Sequence, residues 1–147
     1  MKILFVCLGN ICRSTMAEAV LRDIATKQNL DIIVDSAGLN SYHNGEIPHL
    51  GTRKELEKYD ISWEGIHSRK IELKDFDEFD YIIAMDDSNV YDLRHIKSSH
   101  KIRILSDFFT RYPKIDVPDP YYHQNFDTVY AMVIDGCAGI IDKLYKK

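Results

Sequence analysis
A thiol and a guanidinium stand six positions apart in the run Val6-Cys7-Leu8-Gly9-Asn10-Ile11-Cys12-Arg13-Ser14. The run lies between an apolar stretch, Ile3-Leu4-Phe5-Val6, and a helical pattern that opens near Cys12. A strand, a short loop and a helix start in that order make an anion cradle. The loop turns consecutive backbone N–H groups inward, and the helix adds the positive end of its dipole. With a sulfur at the floor and an arginine at the rim, such a cradle suits covalent capture of a phosphoryl group. Cys7 is the candidate nucleophile, because inward N–H groups, a helix N-terminus and a nearby arginine all favour a thiolate.

The other positions of the run have their own expected tasks. Gly9 is expected to reach φ > 0 and to let the backbone approach a ligand closely. Asn10 is among the few other residues that tolerate the left-handed region. Arg13 can hold two phosphate oxygens with its planar fork. Ser14 can turn its hydroxyl toward the Cys7 sulfur and stabilise it both when it attacks and when it leaves. Leu8, Gly9, Asn10, Ile11, Cys12, Arg13 and Ser14 together form the expected phosphate-binding loop. A cysteine closing an apolar strand is ordinarily an inert core residue. Core packing has no use for the arginine and serine that follow, and they turn the reading toward chemistry.

The elements that must position this loop can be read along the chain. Residues 2–6 read as a near-continuous apolar strand, as in a parallel sheet. Residues 12–29 read as a helix with Met16, Ala17, Val20, Leu21, Ile24 and Ala25 on one face. A second strand is expected at 31–35, turned by Ser36-Ala37-Gly38, then a surface loop at 39–48 and a helix near 48–58. A third strand is expected at 80–85, a helix at 87–94, a fourth strand at 102–105 and helical character at 106–112. Residues 113–124 hold three of the four prolines and read as an ordered loop. A long helix from about 126 to 145 follows. The alternation implies a doubly wound α/β fold: a four-stranded parallel sheet, helices on both faces, and the phosphate-binding loop after the first strand. No linker or repeat interrupts residues 1–147, so a single domain is expected. In such sheets ligands sit at the carboxyl ends of the strands, at the switch point of strand order. Loops 36–45, 86–90 and 113–124 should converge there on Cys7.

Composition narrows the function. The chain has 147 residues, 45% hydrophobic and 29% charged, as in an ordinary globular protein. A net charge of −4 argues against general nucleic-acid binding. Three cysteines are too few and too unevenly placed for a disulfide framework, so a reduced, cytoplasmic compartment is expected. A strand begins at once, so no signal peptide is expected, and no apolar run approaches a membrane span. The six histidines are scattered and pair with no cysteine at ligand spacing, so no metal and no cofactor are expected. Cys137 reads as a core residue of the last helix, Trp63 as packing, and the run from Glu72 to Asp80 as a solvated face. Asp86 reads as a helix N-cap that ties down loops.

Phosphoryl transfer from an alcohol needs an acid to protonate the leaving oxygen. Asp119 is held between Pro118 and Pro120, and a loop so stiffened can keep a carboxyl above the cradle. Taken alone, Pro-Asp-Pro reads as a turn. Tyr121 and Tyr122 read either as amphipathic surface rings or as a wall against a flat substrate ring. Tyr42 reads either way as well.

The segment from Val6 to Ser14, followed by Met16-Ala17-Glu18-Ala19, resembles the low-molecular-weight protein tyrosine phosphatases. Asp119-Pro120-Tyr121-Tyr122 carries the second mark of that family. Asp35-Ser36-Ala37-Gly38 and Asp80-Tyr81-Ile82-Ile83-Ala84-Met85-Asp86 echo it further, in matching order and spacing. The resemblance runs from residue 2 to the C-terminal helix. It implies a cysteine-dependent hydrolase acting on phosphotyrosine proteins, with Cys7 attacking phosphorus and Arg13 holding the oxygens. Asp119 would then protonate the leaving phenolate and afterwards activate water. It supports Ser36 and His67 as the residues that fix the Asn10 side chain, and Tyr42 as an aromatic wall opposite Tyr121 and Tyr122. Phosphate and other oxyanions are the expected inhibitors, and a monomer with at most weak self-association the expected state.

Two departures and three rivals bear on this reading. Position 15 is Thr where the family usually has Pro, which should cost a little order at the helix start. Position 11 is Ile, whereas a bacterial branch that removes phosphate from arginine carries Thr there, and the apolar side chain favours phosphotyrosine. A protein arginine phosphatase is thus the first rival. An arsenate reductase on a similar fold would need further reactive cysteines near 82–90, a segment that has none. A non-catalytic phosphate-binding module would lack the nucleophile, the arginine or the acid, and all are present. Cys12, on the same curled loop as Cys7, is expected to form a protective disulfide with it on oxidation.

Overall fold
The computed structural model describes residues 1–146. A parallel sheet of order β2-β1-β3-β4 is built from β1 (Lys2–Cys7), β2 (Ile33–Gly38), β3 (Tyr81–Ala84) and β4 (Ile102–Ile104). The strand order reverses between β1 and β3, so the switch-point crevice opens at the carboxyl ends of these two strands. β1 ends in Cys7, and that is why a cysteine closing this strand lies at the crevice and not in the body of the core.

β1 is buried on both faces, which explains its unbroken apolar run. Ile3, Phe5 and Cys7 point to one side, into a core shared with Met16, Val20, Val133 and Cys137. These come from α1 (Arg13–Lys27) and α6 (Phe126–Ile140). Leu4 and Val6 point to the other side, where they meet Phe76, Phe79 and Leu93. That layer is carried by the short α3 (Asp75–Glu78) and by α4 (Asp87–Ile96). α2 (Leu50–Lys58) completes the first layer through Leu56, buried in its core.

Several boundaries differ from the sequence reading. Ser36-Ala37-Gly38 does not turn the second strand but belongs to it, because these residues pair with Phe5, Val6 and Cys7. The helical character after β4 is one 3-10 turn, Leu105–Phe108. The proline-rich segment is not all loop: α5 (Pro120–His123) forms one helical turn, with Asp119 as N-cap and Pro120 at its first position. The last helix gives way to a π-helical turn at Ile141–Tyr145. The run Glu72–Asp80 is no solvated face. Phe76 and Phe79 enter the core, and Asp75, 1% exposed, pairs with Arg69 at 3.0 Å.

Candidate active site
The loop after β1 is held by its carbonyls. Those of Cys7 and Leu8 accept from the Leu39 N–H at 3.1 and 3.0 Å. Gly9 O accepts from the Ser68 hydroxyl at 3.1 Å, Ile11 O from the His49 N–H at 2.8 Å, and Cys12 O from the Thr52 hydroxyl at 3.2 Å. With the oxygens committed outward, the N–H groups are left to the cleft side. Among the described residues, those of Gly9, Asn10, Ile11 and Cys12 meet no protein acceptor. α1 has neither a capping side chain nor an acidic residue in its first turn, so its dipole also faces the cleft unopposed. Thr15 does more than replace a proline here, since its hydroxyl donates to Cys12 O at 3.1 Å.

Asn10 adopts the left-handed conformation, φ 56°. Gly9 does not, contrary to the expectation for it; the residues of positive φ in this region exclude it. An added Cβ at position 9 would meet His43 closely, 3.2 Å from its Cδ2, so that ring would have to give way by a few tenths of an ångström. His43, one of the six scattered histidines, thus has a place at the site. It reaches the cleft with Nδ1 held 2.9 Å from Glu46 Oε2.

The Cys7 sulfur lies 3.1 Å from Ser14 Oγ. Asn10 Nδ2 donates both to Ser14 Oγ, at 2.7 Å, and to Ser36 Oγ, at 2.9 Å. Asn10 Oδ1 accepts from the Arg69 backbone N–H at 3.0 Å. His67 is not part of this network. It is exposed, and its Nδ1 contacts only Gly65 O, at 3.1 Å. The Arg69 backbone N–H takes the place foreseen for it on Asn10, while Ser68 holds Gly9 O, because the strand-like backbone there turns the 67 side chain outward.

Arg13 is 3% exposed and clamped from β3 and the proline loop together. Its Nη1 donates to Asp86 Oδ2 at 2.6 Å and to Val117 O at 3.0 Å. Burial opposes its charge, but Cys7, Asp86 and Asp119 outweigh burial and raise its pKa. Asp86 also caps α4, accepting from the Asn89 N–H at 2.7 Å, so it ties the arginine to the switch point. Arg13 Nη2 lies 3.7 Å from Asp119 Oδ2. Asp119 Oδ1 accepts from the Tyr121 N–H at 3.1 Å, which leaves Oδ2 as the outward oxygen.

The segment leading to Asp119 is anchored at two points. Asp135 on α6 receives the N–H groups of Thr110, Arg111 and Tyr112 before it. Nearer the acid, Val117 N–H donates to Met85 O at 3.0 Å. The cleft so enclosed has a volume of about 370 Å³. Residues 7–13 form its floor, Asp119 its rim, and Tyr42, Tyr121 and Tyr122 its exposed walls. Cys12 lines it beside Cys7; burial first, then Cys7 and Asp119, push its thiol up to about 12. Cys137 is wholly buried on α6. Among the described residues no group of three or more His, Cys, Asp or Glu side chains could hold a metal ion.

The family model described as low molecular weight phosphotyrosine protein phosphatase matches residues 2–147. The chain is 44% identical over 150 residues to the low molecular weight protein-tyrosine-phosphatase YfkJ of Bacillus subtilis, covering 99% of this chain and 96% of the relative. The crystal structure of YfkJ gives a TM-score of 0.94, with 99% and 95% of the two chains covered. PtpA of Staphylococcus aureus, of the same description, is 46% identical over 144 residues, covering 97% and 92%. The crystal structure of a Drosophila arginine phosphatase gives a TM-score of 0.92 at 37% identity, covering 100% and 99%.

Proposed function
The chain belongs to the low molecular weight phosphotyrosine protein phosphatases, and from its site we propose how it hydrolyses phosphotyrosine. Cys7 Sγ attacks phosphorus in line with the tyrosyl oxygen. The S–P bond forms as the P–O bond breaks, and Asp119 Oδ2 gives its proton to the departing phenolate. The inward N–H groups of the loop and the Arg13 fork hold the equatorial oxygens throughout. Asp119 then takes a proton from water, which attacks the phosphocysteine. The S–P bond breaks and Cys7 leaves as a thiolate that the Ser14 hydroxyl receives. Tyrosine and phosphate are released, and every proton is accounted for without a metal or cofactor.

One observation carries this assignment. The sulfur, the guanidinium and the carboxyl line a single cleft, with Arg13 braced between Asp86 and the Val117 carbonyl. Tyr42, Tyr121 and Tyr122 line that cleft with flat aromatic rings, which suit an aryl substrate. The likeness to the Drosophila arginine phosphatase keeps phosphoarginine as a second reading. Against it stands Ile11, whose apolar side chain lines the cleft. The substrates are phosphotyrosine-bearing proteins. The compartment is the reducing cytosol, in keeping with three free cysteines, and residues 1–147 act as one domain, a monomer with at most weak self-association.

A panel of phosphotyrosine, phosphoserine and phosphoarginine peptides assayed with EDTA present tests the reading. Phosphotyrosine should be preferred, phosphate should inhibit, and Cys7→Ser should abolish turnover while still binding phosphate. Appreciable hydrolysis by purified Cys7→Ser would remove Cys7 from the mechanism.

A further inference from the structure
Glu18 lies on α1 and is 7% exposed, although a carboxylate is rarely buried without a task. Its Oε1 accepts from the Ser36 hydroxyl at 2.6 Å. That short bond is one end of a chain whose direction can be worked out atom by atom. The Arg69 N–H can only donate, so the Asn10 atom facing it at 3.0 Å is the carbonyl oxygen, and the Asn10 amide nitrogen must face the two serines. Each serine oxygen therefore accepts from Asn10. Each serine has one proton left. Ser36 gives its proton to Glu18, and Ser14 gives its proton to the Cys7 sulfur.

We propose that Glu18 is a positioning residue of the phosphatase: by claiming the Ser36 proton it fixes Asn10, and through Asn10 it keeps the Ser14 hydroxyl aimed at Cys7. The proposal rests on the reading in which Cys7 attacks and leaves as a thiolate. Without an acceptor at position 18 the Ser36 hydroxyl is free to turn its proton toward the Asn10 amide, donor against donor. The Asn10 side chain then shifts, and Ser14 loses the partner that sets its own direction. Asn10 is also the left-handed corner of the loop, at φ 56°, but the backbone there is held separately, by the loop carbonyls of Gly9 and Ile11.

The surroundings of Glu18 agree. Burial pushes its carboxyl up to about 7; the Ser36 hydroxyl, Arg22 and Arg69 pull it down, and Asp35 adds to the rise. A buried apolar side chain there would avoid this cost. The acceptor role survives on either side of that value, because a proton can reside on Oε2 while Oε1 still receives Ser36. An uncharged acceptor of the same shape should therefore suffice.

A double-mutant cycle with Ser14→Ala separates positioning from simple support of the fold. Glu18→Met alone should lower kcat about 10- to 100-fold, in the range for a misplaced reacting group. KM and the inhibition constant of inorganic phosphate should move less than about threefold, since the carbonyl contacts still hold the N–H cradle. Glu18→Gln should restore kcat to within about threefold of the parent. In the Ser14→Ala background Glu18→Met should cost almost nothing, because the end of the chain is already gone. If Glu18→Met does not fold, Glu18→Ala takes its place with the same expectations. Full additivity with Ser14→Ala, a kcat unchanged by Glu18→Met, or a Gln variant as impaired as Met would each overturn the proposal. Turnover by Cys7→Ser, assayed beside it, would instead overturn the reading on which it rests.

Discussion
Replacing Asp135 by Asn should loosen the whole segment that leads to Asp119, the proposed general acid. Asp135 Oδ2 receives the Arg111 and Tyr112 N–H groups at 3.0 and 3.1 Å. The Thr110 N–H reaches both oxygens at 3.1 Å, and the Thr110 hydroxyl donates to Oδ1 at 2.9 Å. An asparagine keeps one acceptor oxygen and sets an NH₂ against the remaining donors. Each bond to a charged group contributes roughly 1.5–3 kcal/mol net. One or two are lost, and water at the protein edge offsets part, so the expected cost is about 2–4 kcal/mol. That corresponds to a fall in Tm of roughly 5–15 °C for a chain of this size. Burial works against the Asp135 carboxylate, but the Tyr112, Thr110 and Arg111 bonds outweigh it and lower its pKa. A carboxylate depressed in the fold stabilises above its unfolded value and loses that contribution as pH falls through its folded value. The gap between parent and Asp135→Asn should thus be full at pH 7 and narrow below about pH 4. Urea denaturation of both proteins at pH 7 and pH 3 measures it, and faster hydrogen exchange at 110–112 locates it. A cost under about 1 kcal/mol at pH 7, or a gap that widens on acidification, would refute the reasoning.

Asp119→Ala should slow hydrolysis of phosphotyrosine peptides by roughly 10²–10³, with a smaller loss for aryl phosphates whose leaving groups need no proton; equal loss across all leaving groups would reduce Asp119 to shaping the loop. Ile11→Thr should raise kcat/KM for phosphoarginine relative to phosphotyrosine, and an unchanged ratio would assign selectivity to the tyrosine walls. Peroxide should convert the Cys7 sulfur to a sulfenic acid, which the Cys12 sulfur displaces with loss of water to give a Cys7–Cys12 disulfide. Phosphate should protect and thiols restore activity, and peptide mapping that finds only over-oxidised Cys7 would sink the idea.

What the sequence showed was local, and what it hid was assembled from afar. Cys7, Arg13 and Ser14 share one short segment, whereas Asp119 between Pro118 and Pro120 reads alone as a turn and stands out only through the resemblance carried by Asp119-Pro120-Tyr121-Tyr122. Ser36 was found because Asn10 needed a partner from a neighbouring turn. The sequence points to His67 for a contact to Asn10 that the Arg69 N–H makes, because nothing in 66–70 reveals which groups face inward. Glu18 was quoted only as part of a motif, since a glutamate among alanines on a helix reads as solvent-facing. Asp75 was lost in a run of charges for the same reason: its partner, Arg69, comes from another loop. Gly9 does not use the positive φ expected of it; the tight neighbour that its missing Cβ spares is the ring of His43, brought in by a separate segment.

The position of β1 inside the sheet sets an order of events during synthesis. β1 needs β2 on one edge and β3 on the other, and β3 leaves the ribosome long after β1. At about 5–20 residues per second, Ile3-Leu4-Phe5-Val6 waits roughly 4–15 s for Ile82 and Ile83. Both edges of the apolar run are bare until β2 emerges, and one stays bare until β3 does. The wait also delays reactivity. Cys7 is translated early, but Asp86 braces Arg13 only once β3 has docked, and Asp119 arrives later still. A chain arrested partway carries the sulfur without its bracing partner or its acid, so hydrolytic competence appears only when nearly the whole sheet has closed.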